Sequence, residues 1–176
     1  MRWLAALFLI ACHSSPAPPP VLGEFPHFAL TDQAGHSVHL ADLRGRPTVA
    51  DFIFTRCPTI CPRLTERMAR LSNELKGVRF VSFSVDPDYD TPAVLTDYAA
   101  AHHAGWTFLT GPIDAVAAGA KLALERDPKN AATTGGILHG THFLLIDGAG
   151  QIRGYYDSAD DESLARLRAD VTAVSK

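Results

Sequence analysis

Residues 47 to 77, "PTVADFIFTRCPTICPRLTERMARLSNELKG", leave few folds open. Positions 47–55 are apolar almost throughout, the pattern of a strand buried on both faces. Leu64, Met68, Leu71 and Leu75 then recur at helical spacing, and Gly77 is placed to end that helix. Between strand and helix stand Cys57 and Cys61, each followed by proline. A buried strand running through a short loop into a helix belongs to a layered α/β domain. Such a loop lies at the carboxyl edge of the sheet, where α/β proteins place their sites.

The other segments extend this architecture. "FPHFALTDQAGHSVHLADLRG" has two short alternating runs around "DQAG" and reads as a β-hairpin. "VRFVSFSVD" and "WTFLT" read as strands, and "HFLLIDGAGQIRGYYD" as two strands around the turn signal "DGAG". Helices are expected over "TPAVLTDYAAAHHAG", with Pro92 in its first turn, over "PIDAVAAGAKLALE", and over the acid-started "DDESLARLRADVTAVSK". A chain of 176 residues without internal repeats needs one domain and one core.

"MRWLAALFLIAC" stands apart from that domain. Arg2 followed by a short apolar stretch is an export signal. "LIAC" is similar to the lipobox of bacterial lipoproteins, which implies that Cys12 carries lipid and becomes the new N-terminus. Residues 13–23, "HSSPAPPPVLG", suit an extended tether. The expected organisation is a signal over 1–12, a tether over 13–23 and a domain over 24–176. Nothing after the signal is long and apolar enough to span a bilayer. A net charge of −3 without basic runs gives no electrostatic basis for nucleic-acid binding.

With Cys12 lipidated, Cys57 and Cys61 remain as a pair. Outside the cytoplasm such a pair persists as a disulfide unless a metal or a reductant holds it open. A helix N-terminus, with its unpaired N–H groups and positive partial charge, favours thiolate. Four-residue spacing places both sulfurs on one helical face, and two thiolates favour copper(I) or zinc. A structural zinc site takes four protein ligands, and no second cysteine pair is available, so one or two histidines would complete the set. Of eight histidines, His13 lies in the tether, His27, His36 and His39 in the hairpin, and His102 and His103 at a helix end. His139 and His142, in "GGILHGTHFLLID", lie where a glycine-bearing loop enters a buried strand, and His139 is the stronger candidate. Asp86 and Asp90, in "SVDPDYDTP", fall just past a strand end. Their plain reading is turn and capping chemistry, with Asp90 or Thr91 capping the next helix. Asp86, beside the cysteine loop, is also a candidate to support the metal ligands from behind. Tyr155 and Tyr156 read as packing.

"FIFTRCPTICP", "SVDPDYDTP" and "ILHGTHFLLIDGAGQIRGYYD", in that order, together resemble the Sco/SenC family of copper-binding proteins from about residue 24 to the C-terminus. The resemblance implies a thioredoxin-like fold: a central mixed sheet flanked by helices, with an N-terminal β-hairpin. It implies copper, as Cu(I), Cu(II) or both, on Cys57, Cys61 and His139. The family histidine precedes the acid of an "LID"-type strand end by eight positions, as His139 precedes Asp147. His142 then falls on the strand as a fallback ligand. A sulfur–sulfur–nitrogen set suits trigonal copper(I). Many family members carry aspartate where this chain has Thr59, so a carboxylate that tunes copper affinity or partner docking there is missing here. The implied function is a metallochaperone, exported and lipid-anchored facing the periplasm. It would take copper from a periplasmic donor and deliver it to the binuclear copper site of cytochrome c oxidase subunit II.

The same residues admit other readings. A thiol–disulfide reductase acting on the oxidase subunit's cysteines would use Cys57 and Cys61 catalytically and would not need His139. "DFIFTRCPT" is similar to the peroxiredoxin sequence around its attacking cysteine. Those enzymes, however, require threonine or serine three positions earlier, where this chain has Phe54. An inert Cys57–Cys61 disulfide in a binding module is the plainest alternative.

Overall fold

The computed structural model describes residues 17–114, 116, 125–126, 137–138 and 141–175. In chain order the strands are β1 (Gly23–Glu24), β2 (Ala29–Asp32), β3 (Ser37–His39), β4 (Thr48–Ile53), β5 (Arg79–Ser84), β6 (Thr107–Thr110), β7 (Glu125–Arg126), β8 (Ile137–Leu138), β9 (His142–Ile146) and β10 (Gln151–Asp157). The helices among the described residues are α1 (Ile60–Glu74), α2 (Pro92–Ala101) and α3 (Asp161–Val174). Eight strands form one curled mixed sheet in the order β1-β10-β9-β4-β5-β6-β2-β3, and β7 and β8 pair separately. β4, β5 and β6 run parallel, and the remaining pairs are antiparallel. The fold is thioredoxin-like.

Every residue of β4 is buried, as its unbroken apolar run requires. On one face α1 presents Leu64, Met68 and Leu71, and the Ser82 hydroxyl of β5 donates to Met68 Sδ at 3.9 Å. On the other, Phe52 stacks on Phe83 with ring centroids 5.1 Å apart, and Phe25 and Phe28 pack edge-on or tilted against Phe83. Burying an aromatic ring of this size stabilises the fold by about 2–3 kcal/mol each. α1 is tied to α2 through the Thr65 and Tyr98 hydroxyls, 3.0 Å apart, and to α3 through Arg67–Asp161 and Arg168–Glu74.

The hairpin expected in the N-terminal region is β2–β3, and β2 also pairs with β6, so the hairpin extends one edge of the sheet. The opposite edge is formed by β1 on β10. Four residues between them, Phe25 to Phe28, carry the chain from one edge to the other over the aromatic face. α1 begins at Ile60, earlier than its apolar stripe announces, and ends at Glu74. Leu75 therefore lies past the helix, and Gly77, at φ +78°, turns the chain into β5. Of the helix expected over 112–125, Asp114 and Val116 are helical, residues 115 and 117–124 lie outside the described residues, and Glu125 is in β7. No helix among the described residues is long and apolar enough to cross a membrane.

Candidate metal centre

β4 ends at Ile53, and four residues later the chain delivers Cys57 to the carboxyl edge of the sheet. The backbone N–H of Cys57 donates to the Phe54 carbonyl at 3.2 Å, closing a tight turn. α1 then starts without the usual cap: the Thr59 side chain makes no capping hydrogen bond, and no acid stands in the first turn. The cap comes from sulfur. The backbone N–H of Cys61 donates to Cys57 Sγ at 3.4 Å, so one of the helix's four unmatched N–H groups is satisfied by the thiol two residues before the capping position.

Both cysteines are buried, Cys57 at 7% exposure and Cys61 at 0%. Around them the loop is open: Pro58, Thr59 and Ile60 face solvent. The helix-dipole argument expects depressed thiol pKa values. For Cys61 the structure gives the opposite: the hydrogen bond with the Cys57 side chain and burial push its pKa up, and the negative charge of Asp51 adds to this. Asp51, fully buried on β4, lies on the face that α1 covers. The two thiols are therefore unequal, with a proton favoured on Cys61 and the helix amide directed at Cys57.

The loop is gripped by the segment after β5. Arg56 donates through Nε to Asp86 Oδ2 at 3.0 Å and through Nη2 to the same oxygen, and its guanidinium sits 4.4 Å above the Tyr89 ring. Asp90, 0% exposed, accepts from the Thr55 N–H at 3.1 Å, the Thr55 hydroxyl and the Ser84 hydroxyl at 2.6 Å. Burial raises its pKa, partly offset by these donors. Asp86 and Asp90 thus hold the two residues that lead into Cys57. Capping of α2 falls to Thr91, whose Oγ1 accepts from the Val94 N–H at 3.4 Å. Thr55, Ser84 and Arg56 were not singled out by the sequence, because each gains meaning only from a partner 6 to 35 positions away.

His142 opens β9 with its side chain exposed. Tyr156 is buried and donates to Asp170 at 2.7 Å, and Tyr155 packs against the core. His139, Cys12 and His13 lie outside the described residues. Among the described residues no group of three His, Cys, Asp or Glu side chains is arranged to hold a metal. The structure does not put both cysteines on one helical face, because Cys57 stands in the turn before α1 and only Cys61 in its first turn. Two buried sulfurs brought together this way are the soft part of a donor set that suits copper(I) and is completed by a further ligand.

Residues 21–174 match the SCO1/SenC family model. The chain belongs to the SCO1/SenC family. It is 33% identical over 183 aligned residues to a SCO1 protein homolog of Bacillus subtilis, covering 98% of this chain and 93% of that one. A SCO1/SenC family lipoprotein of Bacillus anthracis superposes with a TM-score of 0.80 at 31% identity, over 91% of this chain and all of the other. Bradyrhizobium japonicum ScoI, crystallised with copper bound, superposes with a TM-score of 0.67 at 26% identity, over 82% and 98% of the two chains. The SCO1/SenC match thus spans the whole sheet, from β1 to α3.

Proposed function

We propose that this protein is an exported copper carrier that loads the binuclear copper site of cytochrome c oxidase subunit II. The observation that carries the reading is the Cys57–Cys61 turn, with the Cys61 N–H on Cys57 Sγ at 3.4 Å, at the open end of the sheet. The copper-bound structure of ScoI supports it, and the motif resemblance supports the oxidase as recipient. Cys57 and Cys61 supply two thiolates and His139 the nitrogen. His139 is three residues upstream of His142, so the chain lets its Cα lie at most about 11 Å from the start of β9. Asp86 keeps Arg56, and with it the loop, in place behind the ligands. Copper(I) leaves by exchange: incoming thiolates of the target replace Cys57 and Cys61 one at a time, with no change in oxidation state. Cys12 carries the lipid that keeps the domain at the membrane on its periplasmic side, a placement in line with the lipoprotein relative.

Anaerobic titration of the reduced protein with copper(I) tests the assignment. One copper per chain is expected, lost in the Cys57→Ala/Cys61→Ala variant and weakened about tenfold or more in His139→Ala. Full affinity in the double cysteine variant overturns the reading. A thiol–disulfide reductase would instead use Cys57 to attack a target disulfide, with Cys61 resolving the mixed disulfide. That activity is expected to survive His139→Ala, so the same variant separates the two readings.

A further inference from the structure

The cysteine loop stands at one end of β4. At the other end Arg46, Lys76 and Arg79 stand close together. A cleft of about 670 Å³ there is lined by Arg46, Lys76 and Arg153 together with Pro18, and an adjoining cleft of about 460 Å³ by Arg46 and Arg79. Asp147 is the one acid lining either cleft, and Arg153 Nε already holds it at 2.7 Å. Arg46, Lys76 and Arg79 have no carboxylate within ion-pair distance among the described residues, in a chain whose net charge is −3. Arg79 Nη1 is buried without a hydrogen-bond partner, and burial together with neighbouring Arg46 lowers the Arg79 pKa, against a weaker pull upward from Asp42. Lys76 follows the carbonyl end of α1, which accounts for one cation. It does not account for three crowded together.

The N-terminal segment enters the fold on this same face. Arg153 Nη1 donates to the Pro19 carbonyl at 2.7 Å, pinning the segment beside the cleft that Pro18 lines. Six peptide steps separate Cys12 from Pro18, a span of at most about 20 Å. We infer that this basic end of the domain docks on anionic phospholipid headgroups, with the exposed Arg46 and Lys76 facing the bilayer and Arg79 behind them. The inference rests on the lipid anchor at Cys12 proposed above. β4 is six residues long, about 20 Å, so a docked domain carries Cys57 and Cys61 on the side away from the membrane, facing partners in the aqueous phase.

The test is amide hydrogen exchange of the full chain on vesicles of phosphatidylcholine alone and of phosphatidylcholine with phosphatidylglycerol. Residues 44–47 and 76–79 are expected to exchange several-fold more slowly on the anionic vesicles, since each surface cation contributes about fivefold to partition. The difference is expected to vanish at high salt and in the Arg46→Glu/Lys76→Glu variant, while exchange at residues 57–61 stays the same. Equal exchange on both vesicles overturns the inference. The same protection from inorganic phosphate without vesicles also overturns it, in favour of a site for a soluble anion. Copper titration of the double variant is a separate readout: normal binding with lost protection concerns the docking face, and lost binding with normal protection concerns the carrier.

Discussion

Asp90 carries a carboxylate at 0% exposure, and three donors from two other segments converge on it. Burial works against its charge and the donors work for it, so the acid is retained for position rather than for net electrostatic gain. Asp90→Ala leaves the Thr55 N–H and the Thr55 and Ser84 hydroxyls unmatched. A loss of about 1–3 kcal/mol in urea unfolding is expected, with faster alkylation of Cys57 and Cys61 in the native protein. An unchanged alkylation rate would show that the loop keeps its place without this grip. "SVDPDYDTP" was legible as a turn and a helix start, because capping is local and Thr91 performs it. The wider role of Asp90 was not legible, since Thr55 lies 35 positions away in the turn after β4. The burial of both thiols escaped the sequence for the same reason: spacing reports which face a side chain shares, not what covers that face.

At the level of elements, α1 opens in an unusual way. Sulfur does the capping that a hydroxyl or carboxylate normally does, and Thr59 stands at the capping position without a side-chain bond. Thr59→Asp offers the N-terminal amides a charged acceptor beside the positive end of the helix. A gain of about 0.5–1 kcal/mol in thermal or urea unfolding is expected; no gain would mean that Cys57 Sγ already serves that end fully. β4, β5, β6, β9 and β10 and helices α1 to α3 were readable from signals that are local in sequence: an unbroken apolar run in β4, helical spacing in α1, Pro92 at the start of α2 and the acids that open α3. β1 was not: two residues carry no period, and Gly23–Glu24 become a strand only through Ile152 and Gln151.

Across the whole molecule, Asp147 joins the β9–β10 turn to the N-terminal segment through Arg153 and Pro19. Burial pushes its pKa up, but the Gln151 and Ala149 N–H groups and Arg153 outweigh this and hold it below 3.8. A carboxyl depressed in the folded state contributes stability that is complete above 3.8 and is lost as pH falls below it. Asp147→Asn is expected to lower stability at neutral pH by about 1–3 kcal/mol and to flatten the acid limb of a stability–pH curve. A limb of unchanged slope would exclude this clamp from the acid response. The mixed α/β order was legible in the run of elements; the closing of both sheet edges by one N-terminal stretch was not, because it joins positions far apart in sequence. That closing sets a schedule for synthesis. Residues 22–25 leave the ribosome early, yet their backbone partners, Gly150 to Ile152, are made near the end. The aromatic strap must therefore wait unpaired while the rest of the chain is built, and a nascent chain halted before β10 has one rim with nothing to seal it.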